Sequence, residues 1–180
     1  MRRQFITAAA SRRQARLAAA AAALLLAGCS SSEGGTAAGS PLEGSAGALP
    51  SSHVHAVAID PADEALLLAT HEGLFEGADD GRSTRVGPVI DLMGFTVVGP
   101  GRFLASGHPG PGVDLPEPVG LIESPDGGRT WQPLSRQGES DFHALTVGPT
   151  GVLGYDGSLR HSVAGQEWET LAIPATPHTL

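Results

Sequence analysis

The sequence predicts an all-β fold of about three repeated four-stranded units, preceded by an exported leader and a linker. Three observations carry this reading. Short runs rich in Val, Leu, Ile and Phe alternate with Gly and Pro turns, and no segment holds an apolar face at helical period. The same order of segments recurs at onset spacings of roughly 40 and 48 residues. Gly (25) and Pro (14) make about a fifth of the 180 residues turn formers, which suits many short strands.

The leader comes first. All five Arg of residues 1–28 fall at or before Arg16, and "LAAAAAALLLA" (17–27) is an uninterrupted apolar run. A basic start, a short apolar segment and small residues before a cleavage point predict a secretory signal peptide over 1–28. Eleven apolar residues extend only about 16 Å as a helix, against a bilayer core of about 30 Å. The end of the run, Leu26-Ala27-Gly28-Cys29, resembles the bacterial lipobox. That resemblance implies cleavage before Cys29, lipidation of its thiol and tethering to the outer face of a membrane. Arg2-Arg3-Gln4-Phe5-Ile6 resembles the twin-arginine pattern, and the twin-arginine and general secretory routes both stay open. Cys29 is the only cysteine, so the body is expected to hold no disulfide. Residues 29–52 are rich in Ser, Gly, Ala and Pro and lack a periodic apolar face, which reads as a flexible linker.

The body, 53–180, carries the repeat. "HVHAVAID" (53–60) reads as a strand stopped by Pro61, and "EALLLATHEGLFEG" (64–77) as two strands broken near Glu72-Gly73. "GFTVVG" (94–99), "RFLASG" (102–107) and "VGLIESP" (119–125) repeat that order, with "PGPGVDLPEP" (109–118) as a Pro-rich insertion. "FHALTVG" (142–148), "GVLGYDG" (151–157) and "SLRHSV" (158–163) repeat it again. A four-stranded unit of about 40–45 residues has the size of a β-propeller blade. About three units fall short of the roughly 4–8 blades of closed propellers, so the sequence reads as an incomplete one.

The most regular local motif is "SPDGGRTW" (124–131), between "VGLIESP" and "TWQPLS" (130–135). Gly127 and Gly128 suit the positive φ of a tight turn, and Ser124 and Asp126 can bond nearby amides. The stretch is similar to the Asp-box, or BNR repeat, at Ser124, Asp126, Gly128, Thr130 and Trp131. This resemblance implies a hairpin between the third and fourth strands of a blade, with Trp131 opening the fourth strand and packing under the turn. "SVAGQEW" (162–168) keeps Ser162, Gly165 and Trp168, and "GADDGRSTRV" (77–86) stands at the matching place in the first unit.

Over residues 53–170 the chain resembles secreted actinobacterial lipoproteins of the glycosyl hydrolase-like BNR group, which are sialidase-like propellers. The resemblance rests on "HVHAVAID", "ATHEGLF", "DLMGFTVVGPGRFLASGHPGPGVDLP" and "GLIESPDGGRTW". It implies a propeller. Sialidases use three Arg for the substrate carboxylate, a Tyr–Glu nucleophile and an Asp acid/base. Here no Arg-Ile-Pro element occurs, Tyr155 is the only Tyr, and no catalytic residue transfers.

The histidines fall at related repeat positions. His53 and His55 open the first strand of unit one, and His143 opens that of unit three. His71 and His108 follow the second strands of units one and two. His53 and His55, two residues apart, project to one strand face. Imidazoles gathered at a channel mouth are expected to suit Zn or Cu, with Asp60, Glu72, Asp114 or Asp141 as further ligands. The bland alternative is that these histidines fix strand packing.

From residue 29 on, six Arg face nineteen Asp and Glu, a net of −13, so nucleic acid is not an expected partner. Three functions fit the sequence: a lipid-anchored module that binds a glycan, metal or protein ligand without catalysis; a sialidase-like glycoside hydrolase; and an assembly factor for a membrane complex.

Overall fold

The structure, a computed structural model, describes residues 47–48 and 53–173. Cys29, the leader and most of the linker lie outside the described residues. Thirteen strands form three antiparallel sheets, and no helix occurs among the described residues. The first sheet holds β2 (Val54–Ile59), β3 (Leu66–Thr70), β4 (Gly73–Gly77) and β5 (Arg82–Val86), with β1 (Gly47–Ala48) added along β5. The second holds β6 (Ile90–Gly99), β7 (Arg102–Pro109), β8 (Leu121–Ser124) and β9 (Gln132–Ser135). The third holds β10 (Ala144–Gly148), β11 (Gly151–Tyr155), β12 (Leu159–Ser162) and β13 (Glu169–Leu171). Apart from β1, each sheet is a meander in chain order. The expected all-β fold of three four-stranded repeats is therefore present.

Three boundaries differ from expectation. β1 lies in the stretch read as linker: a Gly-Ala pair bonded through its backbone leaves no side-chain pattern to read. β6 begins at Ile90, four residues before "GFTVVG", because register shifts at Leu92/Gly94 and Val97/Gly99 break its alternation. Trp131 precedes β9 instead of opening it.

The middle strands read "LLLAT" and "FLASG" without alternation because both faces are covered. One core joins the first two sheets: Leu67, Ala69 and Leu74 pack with Ile90, Phe95, Phe103 and Ile122. A second joins the next two: Leu104 and Leu121 pack with Phe142, Leu145 and Val152. A fully buried Phe or Leu contributes about 1.5–3 kcal/mol relative to exposure, so these interfaces hold the sheets in place. The first strand of the second sheet, β6, packs against both β2 and β10, which brings the starts of β2 and β10 toward the β6–β7 hairpin's open end.

A repeated lock sets the spacing of the sheets. The loop joining β8 to β9 reaches back so that Gly128 faces Leu74 and Val86 of the first sheet, and its carbonyl crosses Gly87. A Cβ at Gly87, whose φ is +70°, would overlap the Gly128 oxygen. The loop joining β12 to β13 does the same one sheet on: Gly165 faces Leu121 and Leu134, and its carbonyl accepts the Ser135 hydroxyl at 2.5 Å. Gly87→Ala is expected to lower stability by about 2–4 kcal/mol, from left-handed strain plus backbone overlap. Urea denaturation checks this; a loss below about 1 kcal/mol would mean that the loop does not seat there.

Candidate functional site

The loop richest in polar residues is internally spent. Ser124 Oγ accepts the Gly128 N–H at 2.8 Å and donates to Asp126 Oδ1 at 3.0 Å. Asp126 accepts the Thr130 N–H at 2.9 Å and the Thr130 hydroxyl at 2.7 Å. These bonds, the hydroxyl's first, hold the Asp126 carboxyl below its usual range. The Arg129 guanidinium donates to the Asp126 carbonyl at 2.6 Å. Trp131 packs on the first core, and its counterpart Trp168 stacks on Phe142 at 4.8 Å. Ser124, Asp126, Gly128, Thr130 and Trp131 thus build a hairpin and its footing, with no group aimed at a ligand.

Chemistry gathers instead where the histidines stand. The β2–β3 register shifts between Val54 and Ala56, so His55 sits in a bulge, and bulges re-aim side chains. Its ring meets His71, just past β3, at a centroid distance of 4.4 Å, and His53 at 5.1 Å. His55 Nε2 lies 3.3 Å from His71 Nε2. One nitrogen from each of His53, His55 and His71 lies within 4.8 Å of the others. Asp91 of β6 holds this group from the second sheet, with Oδ1 2.8 Å from His71 Nδ1. A carboxylate at that distance favours the tautomer with its proton on Nδ1, which makes Nε2, 3.3 Å from His55 Nε2, the acceptor nitrogen.

His108 and His143 form a second group. Asp91 pairs with His108 across β6 and β7. His108 Nε2 lies 3.1 Å from Asp141 Oδ2, and His143 Nε2 lies 2.8 Å from the same oxygen. Glu117 bonds His108 Nδ1 on the other side. The five predicted histidines therefore divide into a trio and a pair. A cleft of about 530 Å³, lined by Asp141, His143, Tyr155 and Asp156 among others, opens on the His143 side of this group.

The expected oxygen ligands divide as well. Asp141 stands between two imidazoles. Asp60 is 6% exposed and accepts the amides of Ala62 and Gly101, each at 2.9 Å, so it is a turn anchor. Glu72 and Asp114 bond to neither group. Asp91 and Glu117, which do, were not singled out from sequence; their only signal was membership in strand or insertion segments flanking the repeat histidines.

Burial, with help from the charges of His71, His53 and His143, lowers the pKa of His55 against the opposing pull of Asp91. The Glu117 bond, supported by Asp141, raises that of His108 against burial. Free imidazole titrates near about 6.5. In an NMR titration His108 is expected to change above that value and His55 below it. The His108 contacts then stabilise the fold fully below about pH 6.5 and lose their contribution as pH rises through the raised value. His55 works in the opposite sense, its neutral form favouring the fold above about pH 6.5 and its protonation costing stability as pH falls. Coincident midpoints for the two rings would contradict this arrangement.

Four of the body's six arginines are paired with nearby carboxylates. Arg102 bonds Glu123 at 2.5 Å, Arg136 reaches Glu139 at 3.4 Å, Arg160 bonds Asp156 at 2.8 Å, and Arg82 approaches Asp80 at 3.7 Å. Comparison with family models, with curated proteins and with solved structures finds no match to this chain.

Proposed function

We propose that this chain is a lipid-anchored, extracytoplasmic binding module of the Asp-box, sialidase-like propeller kind, and that its ligand is a transition metal ion, Zn or Cu. The observation that carries the metal reading is the trio: His53, His55 and His71 present donors within 4.8 Å of one another. Three imidazoles with an open fourth position suit either ion. The Asp91–His71 contact supplies the outer carboxylate that orients a metal-bound imidazole. The lowered His55 pKa keeps a ligand neutral near pH 7, so fewer protons compete with the metal.

The blade reading draws on three four-stranded meanders and on the loop 124–131 joining a third strand to a fourth. The anchor reading rests on "LAGC" ahead of Cys29. A Cys29→Ser chain expressed in a bacterium with lipoprotein processing is expected to lose acyl labelling and leave the membrane fraction; retained labelling would contradict the anchor. Calorimetric titration of the full chain with Zn²⁺ and Cu²⁺ tests the ligand, and absence of binding to both refutes the metal reading. The alternative, a sialidase-like hydrolase, predicts turnover of fluorogenic sialosides abolished by one carboxylate substitution.

A further inference from the structure

We propose a second, separate metal centre, in which His108 Nε2, His143 Nε2 and the Asp141 carboxylate bind one divalent transition metal ion. It lies on residues that share no ligand with the trio.

Asp141 is the keystone. Its Oδ2 already receives both imidazoles, at 3.1 Å from His108 and 2.8 Å from His143. Zn–N and Zn–O bonds of about 2.0–2.2 Å place the ligands of one ion roughly 3.3 Å apart; the two His–Asp separations are close to this, while the two imidazoles stand more than 4.8 Å apart, so that His143 has to move toward His108 to complete the site. Its other oxygen, Oδ1, is buried with no hydrogen-bond partner among the described residues. A buried carboxylate oxygen is nearly always bonded, and an unbonded one carries a desolvation cost that a cation offsets.

The backbone around Asp141 is fixed on both sides. Ser140 Oγ bonds Asp156 Oδ2 at 2.6 Å, and the Phe142 N–H donates to Ser106 Oγ at 2.9 Å. The carboxylate is therefore preorganised by neighbours that are themselves buried.

His108 is oriented as a metal ligand would be. Glu117 holds Nδ1, so Nε2 is the nitrogen presented to Asp141. The trio has the same device, with Asp91 holding Nδ1 of His71. His71 and His108 occupy corresponding ends of β3 and β7, so one carboxylate-to-imidazole arrangement occurs twice in the repeat. The remaining ligand, His143, is 58% exposed on its side chain, and a change of rotamer brings its Nε2 closer. Two imidazoles and one carboxylate, with open positions toward the cleft, suit Zn, Fe(II) or Mn.

The test is titration of the full chain with Zn²⁺, read as stoichiometry by calorimetry, and with Co²⁺, read by visible absorption. Wild type is expected to take two equivalents. Asp141→Asn and His143→Ala should each reduce this to one, with that site weakened on the order of 100-fold or more. Glu117→Gln should weaken the same site by about 10–100-fold without removing it. His55→Ala with His71→Ala should leave one equivalent, with a Co²⁺ spectrum distinct from that of the Asp141→Asn chain. Circular dichroism of each variant confirms the β fold, and the exposed His143 serves should Asp141→Asn fail to fold. One equivalent in wild type, lost on removing His55 and His71, would overturn the second centre while leaving the trio intact. One equivalent lost instead with Asp141→Asn would refute the trio alone. Two equivalents that persist in Asp141→Asn and His143→Ala would also overturn the second centre.

Discussion

Replacing His55 and His71 together by Ala is expected to weaken Zn²⁺ binding at the trio by at least about 100-fold, because it removes two of three ligands and their preorganised geometry. The change should leave the fold in place. His71 is exposed and His55 is half-buried, and neither belongs to the cores. Competition with a chromophoric chelator measures the loss. Asp91→Asn, which leaves every trio ligand in place but weakens the acceptor on His71 Nδ1, should cost about 10-fold. A double variant that still binds as many equivalents as the wild type, with unchanged affinity, would show that zinc does not bind at the trio. Affinity in the wild type should also fall as the pH is lowered, since protons then compete for the ring nitrogens.

The second large effect is structural. Phe142→Ala is expected to lower stability by about 3–5 kcal/mol, a large share of the roughly 5–15 kcal/mol that holds a domain together. Phe142 is fully buried between the second and third sheets and stacks on Trp168 at 4.8 Å. Its ring fills the space left by Gly154, where a Cβ would press on it at 2.6 Å. Asp141 precedes it in the chain, and His143 and Ala144, the first residue of β10, follow it. Loosening this ring should therefore blunt the His108–Asp141–His143 group as well as destabilise the fold. Urea unfolding gives the first quantity. A loss near 1 kcal/mol would mean that the third sheet is held by something other than this core.

Much of the fold was legible because its signals are local. Gly and Pro turns mark the strand ends, and the recurrence of "HAVAID", "GFTVVG" and "HALTVG" marks the first strand of each sheet. The sheet-to-sheet lock was not legible. That Gly87 lies under the Gly128 carbonyl depends on how two repeats stack, which no window of sequence contains. The site divides in the same way. His53 and His55 share a face by strand alternation, and His71 and His108 correspond by repeat position. Whether five histidines form one group or two depends on tertiary placement. Asp91 is a cross-strand neighbour of His108, yet its carboxylate reaches His71 in another sheet. Glu117 comes from the Pro-rich insertion, which looked like excess length and instead holds His108. Asp60, attractive as an acidic residue ending the first strand, is used by two turn amides.

His53, His55 and His71 are proposed to bind one metal ion together. Crystals of the full chain grown with Zn²⁺, with diffraction recorded on both sides of the zinc absorption edge, test it most directly. An anomalous peak is expected about 2.0–2.1 Å from one nitrogen of each of the three rings. A zinc-bound crystal with no peak between those rings would contradict it.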